Sequence, residues 1–312
     1  MKLKKLQMLL AFVVVAVFTF TACEEDDDPT GPSDVEVPEA PTNLRATSMN
    51  SETVRIIWSS SPDEGKTFFD TYKINVTAEG GTPAGNFEYT ESGQPYDISD
   101  LTEGIVYTFR VWAVNTEGEG SDTIEVEWSP ATLFTTAITD EPIRMYEYTS
   151  DFGSGLEIYN NTEGGPQVLR AVSKADWDVG IDTRDDQLLF GPASEITFGT
   201  GTPESTVEMS DIFYDNIEDL DQVFDSQALS EGIFGSFTVD LNDPGLDLQK
   251  NVVFVLRIQE AGSSSWNYAK VMFIRDTDDD DYLHGSGTDN DYALVHISYQ
   301  SVADVPYAFP VK

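Results

Sequence analysis

The chain has 312 residues, of which 40% are hydrophobic and 12% aromatic, enough for about two domains with cores of their own. Lys and Arg number 17 against 56 Asp and Glu, which gives a net charge of −39 and argues against nucleic acid or anionic lipid as a partner, since both would be repelled. A cationic ligand, a divalent ion or a saline habitat would each fit this charge, and the even spread of acid along the chain favours the habitat.

The first 22 residues have the pattern of a cleaved export signal. Three lysines open the chain, an apolar run covers 8–20, and two small residues precede Cys23. The run is too short and wrongly flanked to span a membrane. Cys23 is the only cysteine, so the 290 residues left after cleavage can form no internal disulfide. An ordinary secretory signal with a chance cysteine remains the alternative interpretation.

The segment Phe20–Cys23 resembles the lipobox of bacterial lipoproteins. The acidic tract behind it is similar to the export tag of surface lipoproteins of the Bacteroidetes. This resemblance implies that Cys23 is acylated, that outer-membrane lipid is its partner, and that the protein lies on the cell surface. The residues of the export tract are Glu24, Glu25, Asp26, Asp27 and Asp28.

The acidic, Pro-rich stretch 23–37 has almost nothing to bury, which predicts an extended, disordered tether. Beyond it, short apolar segments are divided by Gly, Asn, Asp and Pro without long helical periodicity. The sequence therefore predicts an all-β chain with one sandwich over 38–138 and a second over 139–312.

The segment 38–138 shows the alternation of half-buried strands. Val54–Trp58 places every second residue toward one face and ends on a large aromatic side chain suited to a core. The spacing of Leu101, Gly104 and Tyr107 is that of a tyrosine corner, in which the hydroxyl bonds to upstream backbone. Residues 129–134 are predicted to belong to the last strand of this sandwich.

These motifs, with the opening Pro41–Leu44 and the strand Val111–Asn115, resemble a fibronectin type III domain. The resemblance implies a β-sandwich that acts as a spacer or a binding scaffold. The loop that carries an Arg-Gly-Asp motif in some members reads Asn115–Ser121 here and lacks it, so integrin-type adhesion has no support.

The second segment is not a repeat of the first. It has neither a counterpart of the core tryptophan Trp58 nor the tyrosine-corner spacing. One stretch departs from the strand pattern: apolar residues recur every three or four positions from Phe213 to Phe224, which predicts a short amphipathic helix. The predicted strands are Met145–Thr149, Val168–Ser173, Trp177–Ile181, Gln187–Phe190, Gly235–Asp240, Val252–Ile258, Tyr268–Ile274 and Tyr292–Tyr299.

Four of these strands carry short motifs in a familiar order: Trp-Asp, Phe-Val-Leu-Arg, Tyr-Ala-Lys and a terminal Tyr-Gln. This order resembles the HmuY-like domain of surface lipoproteins, many of which capture haem. Haem capture needs axial ligands, usually His or Met, and an apolar slot. The candidate ligands are His296, His284 and Met272, although the histidines match no ligand motif of that family. For His296 a structural, hydrogen-bonded role is the alternative.

An acidic cluster follows the Tyr-Ala-Lys strand. Asp276, Asp278 and Asp280 alternate as the oxygen ligands of a calcium loop do. Asp281 and Gly287 stand where an EF-hand needs Gly and Glu, which excludes that motif. A looser calcium site completed by Asp289 or Asp291, or a solvated hairpin tip, remain as alternatives.

The sequence contains no nucleophile elbow, no zinc-protease motif, no phosphate-binding glycine loop and no spare thiol, so we expect no enzyme. The prediction is non-catalytic ligand capture or surface interaction, with haem as one candidate and polysaccharide or protein as the rival. Aromatic residues on an exposed sheet face, such as Trp266 and Tyr268, would favour a glycan. A cleft walled by His296 or Met272 would favour haem.

Overall fold

A computed structural model describes residues 35–89, 95–134, 142–217, 229–276, 281–285 and 290–307. Contacts divide the chain into a unit over Met1–Val35 and a unit over Glu36–Lys312. The signal sequence, Cys23 and the acidic tract lie outside the described residues, so the expectations about them stay predictions. Among the residues that are described, no helix has the length and apolar character needed to cross a membrane.

The first sandwich consists of two antiparallel sheets, ordered β1-β2-β5 and β4-β3-β6-β7. Alternation builds it: in β2 the side chains of Val54, Ile56 and Trp58 are buried and those between them are not. Trp58 meets Tyr72 edge to face at 5.4 Å inside the core. The strands are β1 Thr42–Asn50, β2 Thr53–Ser59, β3 Phe69–Ala78, β4 Thr82–Tyr89, β5 Tyr96–Ile98, β6 Tyr107–Asn115 and β7 Ile124–Trp128.

The second sandwich packs a five-stranded sheet, β11-β10-β12-β13-β16, against an eight-stranded sheet. In the larger sheet the order is β14-β17-β18-β20-β19, with β15 paired to β17 and with β8 and β9 paired to β20. The strands are β8 Thr132–Phe134, β9 Ile143–Tyr146, β10 Gly155–Asn160, β11 Gly165–Leu169, β12 Val179–Asp182, β13 Leu189–Pro192, β14 Thr206–Met209, β15 Tyr214–Ile217, β16 Val239–Asp240, β17 Asn251–Gln259, β18 Asn267–Ile274, β19 Leu283–His284 and β20 Tyr292–Gln300.

Aromatic side chains fill the space between these two sheets. Phe190 of the smaller sheet meets Phe254 at 5.0 Å and Phe273 at 4.7 Å, both from the larger sheet. Successive residues of a strand point to opposite faces, so one face of β17, β18 and β20 is committed to this core. The opposite face, called here the outer face, is where most of the candidate ligand residues lie.

The predicted fold class is confirmed: the chain is all-β, with two successive sandwiches and little helix. The helix predicted from Phe213 to Phe224 is wrong over its first turn, because Tyr214–Ile217 form β15 and pair with β17. Its remaining positions lie outside the described residues. Short 3-10 helices cover Ala171–Asp176, Arg184–Asp186 and Glu231–Ile233.

Residues 129–134 do not complete the first sandwich as predicted, since β8 hydrogen-bonds to β20 of the second. Side chains reinforce this junction. The Glu103 carboxylate accepts hydrogen bonds from the backbone N–H groups of Thr132 at 3.4 Å and Ser301 at 3.1 Å. The Gln300 amide donates to the Pro130 carbonyl at 3.1 Å. The two sandwiches therefore share a hydrogen-bonded seam.

Candidate functional site

Three neighbouring strands place aromatic rings in a row on the outer face. Tyr292 of β20 lies opposite Tyr146 of β9 on one side and opposite His284 of β19 on the other. Their sequence neighbours Met145 and Ala293 are buried in the core of the second sandwich. Because successive side chains of a strand point to opposite faces, the row of rings points away from that core. The ring centroids are 5.6 Å apart for Tyr146 and Tyr292 and 6.0 Å apart for Tyr292 and His284.

Phe152 extends this row from the loop 147–154. Its ring centroid lies 4.9 Å from that of Tyr146. Among the described residues, the aromatic side chains that are more than a third exposed are Phe152, at 60%, and Tyr148, at 42%. Both belong to this one loop. Exposed aromatic side chains gathered in one place indicate a surface that binds something.

The loop 147–154 is held in a defined shape. The N–H of Tyr146 donates to the carbonyl of Gly153 at 2.8 Å, and the N–H of Phe152 donates to the Ser150 hydroxyl at 3.1 Å. Gly153 has φ 123°, and a Cβ there would lie 2.5 Å from the Leu169 carbonyl, so the position requires glycine. Phe152 is therefore presented to solvent by ordered backbone.

Tyr148 belongs to a second group of rings around Arg184. The guanidinium lies 5.2 Å from the ring centre of Tyr148 and 5.3 Å from that of Phe198. It also forms an ion pair with the buried carboxylate of Asp182 at 2.5 Å, and this hydrogen bond raises the pKa of Arg184. Thr197 hydrogen-bonds the same guanidinium. A polar cavity of about 200 Å³ opens beside it.

We call the exposed and half-buried members of these two groups together the aromatic surface: Arg144, Tyr146, Tyr148, Phe152, Arg184 and Tyr292. Arg144 is exposed, and its guanidinium lies 4.7 Å from the ring centre of Tyr292. The surface thus combines flat apolar faces with planar hydrogen-bond donors. This combination suits ligands that are apolar on one side and rich in hydroxyl groups at the edge.

The candidate haem ligands are only partly brought together. Met272 and His296 lie directly opposite each other on β18 and β20, on the outer face, with exposures of 1% and 4%. His284 stands beside Tyr292, which lies four positions before His296 on β20. Its Nε2 donates to the Ile274 carbonyl at 2.8 Å, and its Nδ1 lies 3.4 Å from an oxygen of Asp276. These contacts give His284 a structural role.

The acidic cluster is described only at its ends. Asp276 forms a β-bridge with Asp281 and contacts His284, whereas Asp278 and Asp280 lie outside the described residues. Within the described ranges, no group of three or more His, Cys, Asp or Glu side chains is placed to hold a metal ion. The calcium site stays a prediction.

Trp266 and Tyr268 are the aromatic residues that the sequence offered for a glycan, and neither is strongly exposed. The Arg257 guanidinium stacks on Trp266 at 4.4 Å and forms an ion pair with Glu208 at 2.5 Å. Tyr268 packs toward Phe234, at 6.1 Å between ring centres. Sequence reasoning missed Tyr148 and Phe152, for which the available signal was two rings in and just before the turn-forming segment Ser150–Gly153.

The residues singled out in the first sandwich are structural. Trp58 and Leu101 are buried. The Tyr107 hydroxyl accepts a hydrogen bond from the backbone N–H of Thr102 at 3.0 Å, the upstream contact that a tyrosine corner makes. Gly104 has φ 82° and packs against Val302 beyond β20, so this corner also touches the second sandwich.

A separate polar group lies inside the second sandwich. Asp178 is buried, and burial raises its pKa to about 7 although the Ser205 hydroxyl and the Ile158 N–H hydrogen-bond to it. Glu157 and Glu260 stand nearby and raise the pKa further. A cavity of about 100 Å³ borders these carboxyl groups.

Comparison with known proteins identifies the family of the first sandwich. Residues 39–127 match the family of the Fibronectin type III domain. The first sandwich is a fibronectin type III domain. The Fibronectin type III domain of human collagen alpha-1(XX) is 17% identical, covering 35% of this chain and 99% of that chain with a TM-score of 0.27. The FN5 domain of Drosophila Lar is 22% identical, covering 30% and 98% with a TM-score of 0.24.

One curated relative is Chitinase A1 of Niallia circulans. It is 28% identical over 159 residues, which cover 44% of this chain and 21% of the chitinase. The chain thus spans about a fifth of that relative's length. Fibronectin type III domains are typically non-catalytic, and the match of the first sandwich to this family suggests a binding or accessory module.

Proposed function

We propose that this protein is a non-catalytic, polysaccharide-binding module, anchored to the outer membrane through acylated Cys23 and exposed on the cell surface. The observation that carries the proposal is the exposure of Tyr148 and Phe152 on one ordered loop that continues a row of rings. The fibronectin type III domain would act as its spacer.

The chemistry of sugars supports this ligand class. A pyranose ring has a flat face of C–H groups that stacks on an aromatic ring, and a rim of hydroxyl groups that hydrogen-bond planar side chains. Phe152 and Tyr148 provide the faces, and Arg144 and Arg184 lie beside them as donors. A protein named Chitinase A1 is similar to this chain in its fibronectin type III region, which makes chitin the first probe.

The test is retention of the mature protein on insoluble polysaccharides, chitin, cellulose and xylan, measured as the fraction depleted from solution. We expect retention on at least one of them, and at least a tenfold loss of affinity for the double variant Tyr148→Ala, Phe152→Ala. Ile105→Ala removes an exposed apolar side chain of the first sandwich and should change nothing. Equal retention of the double variant, or no retention of the native protein, would overturn the proposal.

Haem capture is the second candidate, and one observation favours it: Met272 and His296 lie side by side on the outer face. Their burial favours a structural role instead. We therefore expect haemin titration to leave the Soret band unshifted, and His296→Ala to lower the melting temperature with or without haemin. A shifted Soret band that His296→Ala abolishes without lowering the melting temperature would establish haem capture.

A further inference from the structure

We infer that the aromatic surface binds an uncharged polysaccharide and discriminates against polyanionic ones such as uronate or sulfated chains. This inference rests on the proposed function and names its ligand class. The charges that surround the rings carry it.

The charges around the rings are predominantly negative. Arg170 forms an ion pair with Asp151 at 2.5 Å, and Arg184 forms one with Asp182 at the same distance, so two of the neighbouring cations are already neutralised. Further carboxylates at Glu147, Asp185 and Asp291 lie in or beside the same segments.

A polyanion would be repelled by these carboxylates and also by the net charge of −39 of the whole chain. An uncharged chain carries no such electrostatic cost. Dispersion and hydrogen bonding supply its affinity, and both are insensitive to salt.

The experiment compares uncharged polymers with alginate in affinity gels at low and high salt. We expect retardation by at least one uncharged polymer, no retardation by alginate, and no effect of salt on the uncharged polymer. Phe152→Ala should weaken the retardation by the uncharged polymer.

The outcomes separate the two proposals. Tighter binding of alginate than of uncharged chains, still weakened by Phe152→Ala, would overturn this inference and leave polysaccharide binding intact. Binding that Phe152→Ala and Tyr148→Ala leave unchanged, or no binding to any chain, would overturn both.

Discussion

Asp178 is a carboxyl group for which folding costs free energy at neutral pH. Burial disfavours its charged form and raises its pKa to about 7 from the ordinary value of 3.8. Between these two values the folded chain holds a proton that the unfolded chain has released. Stability therefore falls as pH rises from about 4 to about 7, and the full penalty remains above that window.

Replacing Asp178 by Asn should remove this dependence. An amide can accept the Ile158 N–H bond and donate to Ser205 without becoming charged. We expect the variant to be more stable than the native protein at pH 8, by on the order of 4 kcal/mol at most, with little difference at pH 4. Urea unfolding across pH 4–8 measures this.

Glu204→Gln is the matched control, because Glu204 borders the same cavity but is exposed. It should leave the pH profile of unfolding unchanged. A pH profile of Asp178→Asn that parallels the native one would show that the buried carboxyl does not set the dependence.

The seam between the two sandwiches centres on Gly104. Its φ of 82° disfavours side chains, and a Cβ there would overlap the side chain of Val302. Gly104→Ala should therefore cost about 2–5 kcal/mol, from backbone strain of about 1–2 kcal/mol and overpacking of about 1–3 kcal/mol. Thermal and urea unfolding measure the loss.

Gly118 provides the control for backbone strain. It has φ 86°, and nothing lies within 4 Å of the position that a Cβ would take, so Gly118→Ala should cost only about 1–2 kcal/mol. Adding Val302→Gly to Gly104→Ala should recover the overpacking part. Equal losses of unfolding free energy for the two alanine variants would mean that Gly104 and Val302 are not in tight contact.

Many strands were predictable from the sequence, although β10, β14 and β19 were missed, and strand partnership was not predictable. Alternation located β2 and β6 because their apolar residues fall on one face, and the eight strands predicted for the second sandwich all overlap observed ones. The pattern at 213–217 fits both a helix and a strand, and pairing with β17 decided it. The transfer of β8 to the second sheet depends on contacts more than 150 residues away, which local pattern does not encode.

The candidate site was harder to predict for a related reason. Which aromatic rings remain exposed depends on what packs over them. Trp266 is stacked by Arg257 from a neighbouring strand, whereas Phe152 is held outward by the geometry at Gly153. Neither contact has a signature in local sequence. The row through Tyr292 likewise exists only once β9, β19 and β20 are in register.

For the whole molecule, the anchor is the property to test. Cys23→Ala should release the protein into the soluble fraction or leave it unprocessed, because acyl chains contribute about 0.8 kcal/mol per buried methylene and several together hold firmly. Membrane fractionation of cells expressing the two forms measures this. Unchanged membrane retention would refute the lipoprotein prediction.

Neutralising Glu24 to Asp28 should keep the protein acylated and reduce its cleavage by protease added to whole cells. Equal cleavage would show that the acidic tract is only part of the tether.

The position of β20 also determines when the protein can fold. This strand pairs with β8, β9, β18 and β19, all of which leave the ribosome before it. Until residues 292–300 are available, those four strands present unpaired edges that are prone to join other chains. The second sandwich therefore cannot close before residues 292–300 have been synthesised, and the unpaired edges make this interval the one in which the chain is most prone to associate with others.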